Sequence, residues 1–226
     1  GVEAIANWSD AWAQGDIRAD VAPIWTAAVL RPFYKPASST EAARPIACEE
    51  ALLKTATGCT IRAIEKRAKV ALGKEQYGSG QAAGAAAMIR DTRADATLNP
   101  SRALMAVDYR NAFGAIKWND ALHEALTALP EICPCLAALW GTPDQGQRMY
   151  VETEPGVWEC IKTLGSIVQG GQEGQPVFCM MLTAIIREVR KELSSSLAES
   201  MRVYAFVDDV TISVDQAYLR QTSEAL

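Results

Sequence analysis

Two adjacent carboxylates, Asp208 and Asp209, lie between the runs Val203-Tyr204-Ala205-Phe206-Val207 and Val210-Thr211-Ile212-Ser213-Val214. Runs so rich in β-branched and aromatic residues form strands, and the short join forces a tight hairpin with the Asp pair at or beside its tip. The nearest basic residue is Arg202. Two like charges on a stiff turn repel each other unless something positive sits between them, and a divalent cation is the usual answer. One hundred residues before Asp208, the apolar run 103–107 delivers Asp108 at its end. If strands 103–107 and 203–207 lie side by side, three carboxylates converge. Such a cluster can bind two Mg²⁺ ions, or Mn²⁺, one activating an attacking hydroxyl and the other stabilising a leaving pyrophosphate. The plain alternatives are an ordinary Asp turn at 208–209 and a helix cap at Asp108.

Other residues could serve the same chemistry. Phe113 falls on the first turn after the 103–107 strand, where a large ring could floor a nucleotide pocket or simply join the core. The loop Gly170-Gly171-Gln172-Glu173-Gly174-Gln175-Pro176 lets a ligand approach the backbone ahead of a helix N-terminus. It is not a P-loop, because no Gly-Lys-Ser/Thr follows, and ATPase chemistry is unsupported. Lys35 and Arg44 bracket a turn where cations could meet a triphosphate.

The elements that must hold these groups follow from pattern. Residues 1–30 read as helix with Trp8 and Trp12 one turn apart on the core side. A strand over Val29–Lys35, a turn over Pro36–Ala43 and a returning strand end at Arg44–Ala47 come next. Helices follow over Cys48–Leu72 and, after the Tyr77–Gly80 loop, over Gln81–Ala94. The strand 103–107 is expected to be buried. Helices over Trp118–Leu129 and Cys133–Trp140 precede a hairpin of Gln147–Glu152 and Val157–Lys162 around Glu154-Pro155-Gly156. A largely apolar helix starts at Pro176, and a last helix starts near Gln216. Alternating strands and helices make an α+β or mixed α/β protein.

Composition sets outer bounds. The chain has 226 residues, 49% hydrophobic and 22% charged, enough for one large domain or two lobes. Six scattered Cys without a CxxC pair, and the single His123, exclude a zinc site by spacing and favour a reduced intracellular setting. No secretory leader is visible, and the longest apolar run, Pro176–Ile186, is too short to span a bilayer. The expectation is a soluble intracellular protein with no membrane partner, nuclear if the host is eukaryotic. The net charge of −5 argues mildly against nucleic acid, yet Arg31–Lys74 holds nine basic and four acidic residues. That split permits a basic lobe for phosphates and an acidic part for metal, or only a solvated helix face.

Five segments in order carry a resemblance: Arg44-Pro45-Ile46-Ala47, Gln76-Tyr77-Gly78-Ser79-Gly80, Val107-Asp108-Tyr109-Arg110-Asn111-Ala112-Phe113, Gln172-Glu173-Gly174-Gln175-Pro176 and Phe206-Val207-Asp208-Asp209. Together the series resembles the reverse transcriptase domain of non-LTR (LINE-like) retroelements, over about residues 30–215. The resemblance implies a right-hand polymerase with fingers and palm, its palm a central antiparallel sheet with packed helices. Residues 1–100 would supply N-terminal helices and fingers, 101–226 the palm, with a fingers insertion around 130–165. Asp108, Asp208 and Asp209 match the family's catalytic, Mg²⁺-binding carboxylates. Phe113 matches the steric gate against the ribose 2′-OH, and Lys35 and Arg44 the triphosphate grip. Gly174, Gln175 and Pro176 match the loop and helix start that shape the nucleotide and template pocket.

The implied activity is RNA-directed DNA synthesis, with an RNA template, a DNA primer and dNTPs as partners. Two departures stand out. The family's Gln-Gly-Asp-Pro or Gln-Gly-Ser-Pro is here Glu173-Gly174-Gln175-Pro176, a carboxylate near a polyanionic substrate. The chain also ends 17 residues after Asp209, so the thumb is expected to be missing. A decayed or repurposed RNA-binding piece is therefore the alternative, and an RNA-templated RNA polymerase, disfavoured by Phe113, a third.

Overall fold

A computed structural model describes residues 1–34, 43–141, 146–163 and 165–225. In chain order the elements are α1 (Val2–Ala13), α2 (Ala22–Trp25), β1 (Ala28–Tyr34), β2 (Ala43–Glu49), α3 (Ala51–Leu72), α4 (Gly84–Leu98), β3 (Arg102–Val107), α5 (Ala112–Ala115) and α6 (Trp118–Ala128). Then come α7 (Cys133–Trp140), β4 (Gln147–Glu154), β5 (Val157–Thr163), α8 (Gly174–Glu192), α9 (Ser195–Ser200), β6 (Arg202–Phe206), β7 (Asp209–Asp215) and α10 (Leu219–Ala225). They form two compact units, 1–64 with 113–174, and 65–112 with 175–226.

The first unit is built on a four-stranded sheet of order β2-β1-β4-β5. β1 pairs antiparallel with β2 and parallel with β4 at Ala28↔Met149 and Val29↔Tyr150. Side chains alternate across a strand, so Ala28, Ala47 and Met149 are buried on one face, with Leu30 and Val168 packed against them. Trp12 is buried and donates from Nε1 to Thr57 Oγ1 at 3.1 Å, while Trp8 stacks on Trp12 and meets Trp25 edge-on. Trp118 and Trp140 stack with ring centroids 5.8 Å apart. The single helix expected over 1–30 is two helices. α1 stops before Gly15, which takes φ +70°, and a Cβ there would lie 2.9 Å from the Pro134 carbonyl oxygen. β2 runs on to Glu49, and Glu50 caps α3 by accepting from the N–H groups of Leu52 and Leu53.

The second unit holds a three-stranded antiparallel sheet, β3-β7-β6. Strands 103–107 and 203–207 do not lie side by side: β7 lies between them, because the hairpin returns its second strand into the centre. β3 is correspondingly an edge strand rather than a buried one, with Leu104 44% exposed. Helix α4 packs on this sheet. The end of the sheet away from the Asp pair is braced by Asp95, which is buried and paired to Arg202 and, at 3.6 Å, to Arg102. Arg102 also donates to Ser213 Oγ at 2.8 Å and to the Ser200 carbonyl at 2.6 Å. Burial alone would raise the Asp95 carboxyl. The Ser213 hydroxyl and the two guanidiniums outweigh it and hold the group below the usual range. Glu75 pairs with Arg190 in the same unit.

Candidate active site

The β6–β7 hairpin turns on Val207 and Asp208, since Phe206 and Asp209 are its last registered pair. Val207 adopts φ +56°, a left-handed conformation that a β-branched side chain reaches only under strain of about 1–3 kcal/mol. What holds it there is Gln76. The stretch 75–78 lies along β6, with the Ala205 N–H donating to the Glu75 carbonyl at 2.8 Å and the Tyr77 N–H to the Ala205 carbonyl at 2.7 Å. Gln76 Oε1 then accepts from the N–H groups of both Val207 (3.0 Å) and Gly78 (2.8 Å). Gly78 must be glycine, because a Cβ there would sit 2.4 Å from the Val207 nitrogen. Gly84 is equally constrained by the Tyr77 carbonyl oxygen, 1.9 Å from where its Cβ would lie. Lys69 completes the brace, donating from Nζ to the Gln76 carbonyl and to Gln81 Oε1, both at 2.8 Å.

The Cys179 thiol is buried near the same turn. Burial chiefly, and the Asp208 charge in part, push its pKa up to about 12, so it is an inert thiol packed behind the hairpin. Asp208 and Asp209 are exposed, as is Asp108. β3 pairs with β7 as far as Val107↔Val210, so Asp108 directly follows the last registered residue of β3 and Asp209 directly precedes its partner on β7. After Asp108 the chain turns through Asn111, whose φ of +53° suits an Asn. Thus β3 and the hairpin deliver all three carboxylates to one end of one sheet. Hard oxygen donors without imidazole or thiolate suit Mg²⁺ rather than zinc. Among the described residues, however, no three His, Cys, Asp or Glu side chains are drawn together closely enough to hold a metal ion.

The other expected site residues divide as follows. Gln175 donates from Nε2 to the Gly78 carbonyl, so it ties the start of α8 to the loop behind the hairpin. Pro176 is buried within α8, which begins at Gly174 rather than at the proline. In the first unit, Phe113 is half-buried beside Gly174, its Cε1 3.7 Å from where a Cβ would stand. Arg44 is exposed on β2 opposite Phe33. Lys35 and nearly all of the Pro36–Ala43 turn lie outside the described residues.

The glycine-rich loop closes on protein. The Ala47 N–H donates to the Gln169 carbonyl at 2.8 Å, and a Cβ on Gly170, at φ +126°, would strike the Ala47 carbonyl oxygen at 2.2 Å. Glu173 is 3% exposed, so the carboxylate that replaces the expected Gln points inward and not into solvent. Its neighbours are Gly171, the Glu49 carboxyl and the Cys135 thiol, and Oε2 of each of the two Glu residues has no hydrogen-bond partner. Burial first, and the Glu49 charge second, push the Glu173 pKa up to about 8; Glu49 is raised by burial as well. Near neutral pH Glu173 is therefore mostly the uncharged acid, chemically close to the glutamine it replaces. Sequence reasoning gave no role to Gln76 or Glu49, because both act through partners more than a hundred residues away.

No family model matches the chain, and no curated protein matches it by sequence. Solved structures do. Apo telomerase from Candida tropicalis, truncated from the C-terminal domain, matches with a TM-score of 0.63 at 12% identity, over 90% of this chain and 46% of that one. Telomerase from Candida albicans in complex with the TWJ fragment of telomeric RNA gives 0.61 at 8% identity, over 92% and 41%. The chain has a reverse-transcriptase-like fold. It spans less than half the length of these telomerases, and identity so low carries the fold alone. No described helix is long and apolar enough to cross a membrane.

Proposed function

We propose that this chain is the fingers–palm part of an RNA-directed DNA polymerase of the non-LTR retroelement type. Residues 1–100 would carry the N-terminal helices and fingers and 101–226 the palm. The observation that supports the reading is that the β3–β7 ladder ends at Val107↔Val210, with Asp108 and Asp209 the next residues at that end of the sheet, beside a strained, braced hairpin within a reverse-transcriptase-like fold. Asp108, Asp208 and Asp209 would hold two Mg²⁺ ions, which supply activation of the primer 3′-hydroxyl and stabilisation of the leaving pyrophosphate. In the reaction the 3′-oxygen forms a bond to the dNTP α-phosphorus as the bond to pyrophosphate breaks, and positioning supplies much of the rate.

Phe113 would exclude a ribose 2′-OH, and Lys35 and Arg44 would grip the triphosphate. RNA would be the template and DNA the primer, with work in the nucleus of a eukaryotic host. The buried, largely neutral Glu173 supports catalysis, since it adds no full negative charge beside the substrate. The test is Mg²⁺-dependent extension of oligo(dT) on poly(rA), which Asp108→Asn should abolish with the fold intact; retained extension would overturn the assignment. A binding-only reading is favoured by the absence of a gathered three-donor group among the described residues. Mn²⁺ titration separates the two: a protein that takes up no Mn²⁺ binds nucleic acid without catalysis.

A further inference from the structure

The face of the β2-β1-β4-β5 sheet opposite the buried one is neither apolar nor acidic. Register and alternation place Phe33, Arg31, Arg148, Tyr150, Trp158 and Lys162 together on it. Arg148 pairs across to Lys162, Glu152 pairs across to Trp158, and Arg31 reaches both members of the latter pair. Its guanidinium lies 5.4 Å from the Trp158 ring centroid and donates to Glu152 Oε2 at 3.4 Å. Phe33 is 67% exposed and Trp158 43%. Glu49 and Glu159 share the other face, by their pairing with Ala28 and Val151. In the registered rows of this face the described carboxylate is Glu152 alone, against Arg31, Arg148, Lys162 and Arg44. A cationic face on a chain of net charge −5 is a local feature, not a reflection of composition.

We infer that this face is a platform for single-stranded nucleic acid, bases stacking on Trp158, Tyr150 and Phe33 and phosphates meeting Arg31, Arg148 and Lys162. Two observations select this occupant. Interleaved cations and aromatic rings match the alternation of phosphate and base, and rings in the open can only stack on bases that a duplex would hide. Trp158 and Tyr150 are diagonal neighbours on adjacent strands, about 7–8 Å apart, within reach of neighbouring bases of one strand. Arg31 already shows the cation–π geometry that would sandwich a base edge. The surface lies within one unit and uses none of the carboxylates; it rests on the polymerase reading only through Arg44, which shares this face, and binding measured without extension separates the failure of one from the failure of the other.

Fluorescence anisotropy with labelled oligo(rU) and oligo(dT), repeated over a salt series, tests it. Wild type should bind both, and a matched duplex should compete poorly. Trp158→Ala should weaken binding about tenfold, with Trp158→Phe restoring most of it. Arg148→Gln with Lys162→Gln should reduce the slope of log affinity against log salt by about 1.4, two phosphates' worth for a single strand. Arg90→Gln with Arg93→Gln, an equal charge change on α4, should leave the salt slope where it was. All variants should melt as wild type does, since Trp158 and Lys162 are exposed. No binding by wild type, equal binding by Trp158→Ala, or an unchanged salt slope in the double variant would each overturn the platform.

Discussion

Replacing Glu173 by Gln should remove a pH dependence that the wild-type fold carries. Glu173 is 3% exposed, and its pKa is pushed from 4.5 to about 8, by burial first and by Glu49 second. Between those values the folded state keeps a proton that the unfolded chain has released. Stability from this group is therefore fully present below pH 4.5, falls as pH rises, and levels off above about pH 8. Each pH unit in the window costs about 1.4 kcal/mol, summing to the order of 5 kcal/mol, a large share of the 5–15 kcal/mol typical of a domain. Gln cannot ionise. Its amide brings two N–H groups where the acid brings one O–H, and the unpartnered acceptor beside it is Glu49 Oε2, so the second N–H costs about 1 kcal/mol where the acid is protonated. Urea denaturation from pH 5 to pH 9 should show Glu173→Gln equal to or slightly below wild type at pH 5 and above it by several kcal/mol at pH 9. Parallel stability curves for the two proteins would refute the buried, protonated acid. They would also return the carboxylate to the list of departures that weaken nucleotide binding.

Gln76→Ala leaves the N–H groups of Val207 and Gly78 without their acceptor at a strained turn, and should cost about 2–3 kcal/mol by chemical denaturation. It should also loosen the hairpin, seen as faster amide exchange at Val207 and Asp208. Asp95→Asn uncouples Arg102 and Arg202 and should cost about 3 kcal/mol. Because the Asp95 pKa is depressed, its contribution is present above pH 3.8 and lost as pH falls through the lower folded value. The variant should accordingly show a shallower loss of stability in acid than wild type. Phe113→Ala should let rNTPs into primer extension; unchanged sugar discrimination would remove the gate role.

The strands and their hairpins were legible in the sequence because β-branched and aromatic runs, such as Val203–Val207 and Val210–Val214, encode their own pairing through a short turn. Helix α8 was legible by its apolar run behind Pro176, and the Trp8–Trp12 pair by its helical spacing. The order of the sheet was not. The apolar run at 103–107 reads as buried, yet Leu104 is half in solvent because the central place belongs to β7. Gly15 marked the break in the first helix, a signal that the Ala-rich surroundings masked. The support of the candidate site was least visible of all. Gln76 and Gly78 lie in a stretch that reads as loop, and their grip on Val207 depends on a fold that brings residues 131 apart in sequence into hydrogen-bond contact. Glu173 was legible as a departure but not as a buried acid, since the partner that raises it, Glu49, sits on a different strand.

Extension of oligo(dT) on poly(rA) with Mg²⁺ and dTTP, wild type beside Asp208→Asn, decides whether this fold polymerises DNA through its Asp pair. Template-dependent extension by wild type and none by Asp208→Asn is expected, with superimposable melting curves for the two proteins. Equal extension by both would contradict it.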